Sequence, residues 1–169
     1  IRSGRFNFEF VVPKDIVYSD NQGQILIYAA DAEGRQANGL FEGIAFNGTA
    51  LSDGDKVGPS IYCYLNSSSF TNGDVVNASP YFMAEIIDES GINSTGAGIG
   101  HDLQLTIDGD MNKTYTLNDY FNFDFGSYQS GTVGFQIPAL DEGSHTLTFR
   151  AWDIYNNSST STLDFIVGN

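Results

Sequence analysis

The sequence predicts an all-β chain: an immunoglobulin-like antiparallel β-sandwich preceded by a partial β-unit. Three observations predict it. Aromatic residues make up 14% of the 169, with thirteen Phe and nine Tyr, side chains that suit a pleated, half-buried surface. Turn signals recur at intervals of roughly 8–12 residues, the spacing of short strands in a sandwich. No segment repeats its apolar residues with helical periodicity.

The elements follow in order. Phe6, Phe8, Phe10 and Val12 alternate with Asn7, Glu9 and Val11 as a first strand, which Pro13 ends. Asp20-Asn21-Gln22-Gly23 turns the chain into a second strand, Gln24 to Ala30. A polar loop, Asp31 to Asn38, leads to a third at Leu40 to Phe46. Asn47-Gly48 and Ser52-Asp53-Gly54-Asp55 mark a linker, and Gly58-Pro59 opens the next unit. There Ile61, Cys63 and Leu65 alternate with Tyr62 and Tyr64. After the Asn72-Gly73-Asp74 turn, Tyr81 to Asp88 carries Phe82, Ala84 and Ile86 on one side. A long loop over residues 89–102 contains Gly91, Gly96, Gly98 and Gly100. Strands are expected at Leu103 to Ile107, Tyr115 to Phe125, Thr132 to Ile137, His145 to Trp152 and Thr162 to Val167.

Residues 58–169 are long enough for a complete sandwich of about 100 residues. Residues 1–57 are not. Three strands bury one face only against something else, so this first unit is expected to be an incomplete sandwich holding its C-terminal strands alone. Its unpaired edges invite pairing, and a homodimer through unpaired strands is expected. The chain opens on Ile1, with no Met and no signal peptide, as a processed or excised product does.

Net charge is −14, from seven basic and twenty-one acidic residues. That excludes nucleic acid, which needs a basic face, and disfavours anionic membranes. No apolar run is long enough to insert into a bilayer. The single cysteine excludes an internal disulfide.

Few residues carry chemistry. Cys63, in phase with apolar neighbours, reads as a small core residue and not as a thiol nucleophile, which needs an electropositive, accessible setting. His145 follows a turn and reads as structural. His101, in Gly98-Ile99-Gly100-His101-Asp102, has two readings: it orients a proton or metal with Asp102, or it fixes the glycine-rich turn. With no nucleophile beside it, no catalytic set is complete. Asp88, Glu89, Asp102, Asp108, Asp110 and Asp153 fall near strand ends, where they form turns or hold calcium. The metal expectation is placed on Asp88 and Asp102. Gly91, Gly98, Gly100, His101, Trp152 and Asp153 are the expected structural residues of the loop region. Trp152 packs, or grips a sugar. Asn-x-Ser/Thr sequons at Asn47, Asn66, Asn77, Asn93, Asn112, Asn156 and Asn157 matter only in a eukaryotic secretory pathway.

Several of these motifs occur together in one family. Asp88-Glu89-Ser90-Gly91-Ile92-Asn93, Gly98-Ile99-Gly100-His101-Asp102-Leu103, Leu117-Asn118-Asp119-Tyr120 and Ala151-Trp152-Asp153-Ile154-Tyr155-Asn156-Asn157 resemble the C-terminal β-domains of gingipain-like cysteine peptidases, in particular the type IX secretion sortases of Bacteroidetes. So do Phe8-Glu9-Phe10-Val11-Val12-Pro13 and Leu26-Ile27-Tyr28-Ala29-Ala30. The resemblance implies a catalytic domain upstream of Ile1 with its own Cys and His, so no catalytic role passes to Cys63 or His101. It implies a non-catalytic structural or interaction module whose partners are the upstream peptidase domain and secretion-system proteins. It would lie at the bacterial cell surface or outer-membrane exterior, or be secreted. The alternative is a calcium- or glycan-binding module of a surface adhesin.

Overall fold

The computed structural model describes residues 5, 7–14, 16, 22–45, 54–96 and 98–168. The chain divides into two compact units, one of residues 1–16 with 54–169, the other of residues 17–53.

In the larger unit, alternating side chains build two facing sheets. Strands β3 (Ser60–Leu65), β5 (Tyr81–Ile87), β9 (Ser130–Gln136) and β8 (Phe121–Phe123) pair antiparallel in that order. Strands β4 (Val75–Val76), β11 (Ser158–Val167), β10 (Gly143–Trp152), β6 (Gln104–Ile107) and β7 (Thr114–Thr116) form the second sheet, antiparallel except for β4 beside β11. Strand β5 shows why they face each other. Phe82, Ala84 and Ile86 point inward and are wholly buried, while Tyr81, Glu85 and Ile87 point to solvent. Leu147, Phe149 and Ala151 of β10 answer from the other sheet, also wholly buried. The rings of Phe82 and Phe149 meet with centroids 5.2 Å apart and planes at 53°, a tilted pairing that aromatic quadrupoles favour. Cys63, Leu65, Leu105, Ile107, Val133, Phe165 and Val167 also belong to this core.

The structure departs from the expected strands in several places. Residues 7–13 form no strand; Phe8 and Phe10 stay about half exposed and stack on each other at 6.0 Å. The aromatic run from Tyr115 to Phe125 is not one strand. Leu117 turns inward to full burial, a 3₁₀ turn at Asn118–Tyr120 follows, and the chain passes from β7 in one sheet to β8 in the other. Val75–Val76 forms a strand too short to show alternation. Asp88 lies just past β5, not within it. Phe6, the Asp20-Asn21 half of the first turn, Phe46, and the Asn47-Gly48 and Ser52-Asp53 parts of the linker lie outside the described residues.

The smaller unit is a hairpin of β1 (Gly23–Ala30) and β2 (Gln36–Ile44). Its second strand starts at Gln36, so the loop is shorter than the expected Asp31–Asn38. Asp31 closes it: one carboxylate oxygen accepts the Glu33 and Arg35 amides, each at 2.9 Å, and the other accepts Arg35 Nε at 2.6 Å. The Arg35 side chain, with these amides, holds the Asp31 carboxyl below its usual range. Gly34 at φ +78° supplies the left-handed residue the turn needs. Leu26 pairs with Leu40 and Ile25 with Phe41.

Among the described residues no helix is long and apolar enough to cross a membrane.

Candidate functional site

Three loops converge at one end of the sandwich. Asp55 precedes β3, Asp88 follows β5 and Asp153 follows β10. One carboxylate oxygen from each lies within 4.8 Å of the others. Asp153 is wholly buried and Asp88 nearly so, at 6% exposure.

Backbone bonds lock the loops. Asp88 N–H donates to the Gln129 carbonyl at 2.8 Å, and Ile92 N–H to the Tyr128 carbonyl at 3.1 Å. On the other side, Asn93 N–H reaches the Trp152 carbonyl at 2.9 Å and Ile154 N–H the Gly91 carbonyl at 3.0 Å. Lys14 N–H donates to the Ile154 carbonyl at 2.9 Å. Gly91 is required here: its φ is +118°, and a Cβ would stand 2.9 Å from the Tyr128 ring.

The carboxylates also order their own turns. Asp88 Oδ1 accepts the Ser90 and Gly91 amides at 2.8 and 2.9 Å. Asp153 Oδ1 accepts the Tyr155 and Asn157 amides at 2.8 and 2.7 Å, and its Oδ2 accepts Asn157 Nδ2 at 2.6 Å. Asn157 Nδ2 donates also to the Asp55 carbonyl at 2.8 Å, and Ser90 Oγ to Asp55 Oδ2 at 2.8 Å. Asp88 Oδ2 takes no hydrogen bond among the described residues, and no cationic side chain there pairs with the trio. Burial pushes the Asp88 carboxyl up, two amide bonds oppose this, and the Asp153 and Asp55 charges reinforce it. Asp55 is held below its usual range by the Val57 amide and the Ser90 hydroxyl. Clustered carboxylates without a counter-charge suit a hard divalent cation, which takes oxygen ligands and offsets their repulsion. Asp55, Asp88 and Asp153 are the residues that fit one.

Of the two residues expected to hold metal, only Asp88 joins this group. Asp102 lies beside Gly96 and Asn118, in the glycine-rich loop. Asn118, unassigned by sequence reasoning, clamps that loop: its Oδ1 accepts the Leu103 amide at 3.1 Å and its Nδ2 donates to the Ser94 carbonyl at 3.0 Å. The Gly98 carbonyl accepts the His101 amide at 3.0 Å, closing a turn with Gly100 at φ +79°. The His101 ring packs 4.3 Å from Trp152, and the Arg150 guanidinium sits 5.4 Å from the same indole. Trp152 is therefore crowded by side chains, and its Nε1 is buried without a hydrogen-bond partner among the described residues.

Cys63 is 6% exposed in mid-strand, and burial raises its thiol to about 12. A thiol so placed is protonated at neutral pH, and the thiolate is the form that attacks. His145 lies between the turns at Asp108 and Asp141 and bonds to both.

No protein-family model matches the sequence, and no curated protein is significantly similar to it. Among solved structures, the dimeric latent PorU from Porphyromonas gingivalis matches with 42% identity and a TM-score of 0.67, over 95% of this chain and 15% of that one. An endo-β-1,4-mannanase from Thermotoga petrophila is 10% identical over 65% of this chain and 20% of that one, with a TM-score of 0.41. CopC from Methylosinus trichosporium OB3b is 18% identical over 63% of this chain and 93% of that one, with a TM-score of 0.36. Those two likenesses are too distant to bear on function. This all-β chain is PorU-like along nearly its whole length, and it spans 15% of the PorU chain it matches.

Proposed function

We propose that this chain is a non-catalytic, immunoglobulin-like structural and interaction module in the C-terminal region of a gingipain-like cysteine peptidase of the PorU type. The observation that carries the proposal is Cys63, the sole cysteine, sealed in the core with its thiol raised to about 12. The strand order supports the immunoglobulin-like part. β3-β5-β9-β8 facing β11-β10-β6 follows the ABED and GFC sheets of that sandwich. In this reading the catalytic domain lies upstream, and the whole protein processes secreted cargo and attaches it at the cell surface through type IX secretion. The module's partners are then the peptidase domain and secretion-system proteins. The hairpin, with Leu26, Tyr28, Leu40 and Phe41 more than half exposed, is completed by strands from elsewhere in the longer chain or from a second copy. Purified chain should show no thiol-dependent peptidase or transferase activity. Cleavage that disappears in Cys63→Ser would sink the reading.

A second reading, a divalent-cation site, is favoured by the Asp55–Asp88–Asp153 trio. It is the form of the ligand-binding alternative that the geometry supports better than a glycan platform, since Trp152 is crowded by His101 and Arg150. Calcium would stabilise the chain by mass action. Thermal melts in calcium and in chelator should differ for the wild type and for Asp102→Asn, and coincide for Asp88→Asn. Coincident melts for the wild type leave the trio as turn-fixing residues only.

A further inference from the structure

At the other end of β10, His145 occupies a position that its neutral form cannot satisfy. Its side chain is only 9% exposed. Nδ1 lies 2.8 Å from Oδ2 of Asp108, and Nε2 lies 2.8 Å from the backbone carbonyl oxygen of Asp141. Both neighbours accept hydrogen bonds. A neutral imidazole carries one N–H, so it serves one of them and turns a lone pair on the other. The imidazolium donates to both. Phe165 of β11 stacks on the ring at 5.5 Å and 29°, fixing its plane.

The surroundings of the ring are mixed in charge. Asp108, at φ +56°, also accepts the Thr146 amide through Oδ1 at 3.0 Å. Lys113 Nζ stands 3.9 Å from the Asp108 oxygen that faces the ring. Glu142 follows Asp141 in the turn before β10. On β11, Asp164 Oδ1 accepts the Thr146 hydroxyl at 2.8 Å.

We propose that His145 is a pH-operated latch: doubly protonated, it ties the turn at residues 140–143 to the turn at Asp108, and it lets the first turn go when one ring proton leaves. The carboxylate is the stronger acceptor, so the remaining proton stays on Nδ1 toward Asp108. The Nε2 lone pair then faces the Asp141 carbonyl oxygen, and that contact turns repulsive. Burial lowers the basicity of the imidazole, but the Asp141 carbonyl and the Asp108 carboxylate outweigh it, so its pKa lies above the ordinary 6.5. Asp108 is held below 3.8: burial raises it, but the Thr146 amide, His145 and Lys113 outweigh that. The latch on the first turn is therefore closed below the raised His145 value and opens as pH rises through it, whereas a fall through the lowered Asp108 value weakens only the Nδ1 side.

The test is a nuclear magnetic resonance titration of the intact chain, with His101→Gln used to assign the two imidazoles. The expected result has three parts. The His145 ring titrates with a midpoint above 6.5, the Glu142 and Gly143 amide shifts move with that same midpoint, and both amides stay flat in His145→Gln. Asp108→Asn should lower the ring midpoint. A midpoint at or below 6.5, turn amides that ignore the ring's titration, or the same amide movement in His145→Gln would each overturn the proposal. The wild-type titration alone decides the first two outcomes even if a variant fails to fold.

Discussion

The sandwich and the hairpin are written in the same local pattern and end in opposite states. In β5, Phe82, Ala84 and Ile86 alternate with half-buried or exposed neighbours and are wholly buried. In β1, Leu26 and Tyr28 alternate just as regularly, yet they are 75% and 62% exposed. Strand propensity and cross-strand pairing are equivalent in the two; what differs is a second layer. The sandwich supplies its own in β10 and β11. Among the described residues of its own unit, the hairpin has two strands and no sheet across from it. Alternation therefore states which face wants cover, and only topology states whether cover arrives.

The sharpest way to test the contrast is to empty the covered side. Phe149→Ala removes a wholly buried ring that packs on Phe82. It should cost about 3–5 kcal/mol in urea unfolding, the range for a large-to-small change in a packed core. A loss under about 1 kcal/mol would mean the two sheets are not packed as described.

Next in size is the loop end of the sandwich. Asp153→Ala strands the Tyr155 and Asn157 amides and removes one of the two acceptors of Asn157 Nδ2. Unpaired buried donors cost about 1–3 kcal/mol each, and these part-buried ones lie toward the lower end. Relief of repulsion on Asp88 offsets part of this, leaving a net loss of about 2 kcal/mol. Chemical denaturation in chelator measures it without any contribution from bound cation.

Asp88→Asn should act in the opposite direction. The folded pKa of Asp88 is raised above 3.8, so its ionised form is penalised in the fold. That penalty is present above the raised pKa and fades as pH falls through it toward 3.8. Asparagine keeps an oxygen for the Ser90 and Gly91 amides and carries no charge. In chelator at pH 7, the melting temperature should rise by about 2–4 °C, the equivalent of roughly 1 kcal/mol for a domain of this size. The gain should vanish near pH 3.8. A gain that persists at low pH would assign it to something other than charge.

Much of the sandwich was legible because burial there is periodic. Cys63 in phase with Ile61 and Leu65, and Leu147-Phe149-Ala151 in β10, announce the inner face by position alone. The sheet crossing at Leu117 was not legible, since Tyr115, Tyr120, Phe121 and Phe123 read as one continuous aromatic strand and the intervening 3₁₀ turn leaves no strong breaker. The carboxylate trio was legible only in part. Asp88 and Asp153 stand out at strand ends, but Asp55 reads as linker, and its approach depends on Asn157 reaching back to its carbonyl. Such a contact joins segments that no local pattern relates. Asp102 drew attention because it neighbours His101 in sequence, while space gave it Gly96 and Asn118 instead.

The smallest expected effect tests the uncovered side. Leu26→Ser lies across from Leu40 on the exposed face of the hairpin. It should leave the unfolding of the sandwich unchanged within about 0.5 kcal/mol, as surface substitutions do. Amide exchange in β1 and β2 should quicken, because a two-stranded hairpin is marginal by itself. In a longer PorU-like chain whose strands cover the hairpin, the same substitution should cost about 2–3 kcal/mol, the value of burying a leucine side chain. The difference between the two measurements reports the missing layer directly. A loss of 2–3 kcal/mol already in this chain would mean that Leu26 is covered here, and the contrast between the two units would fall.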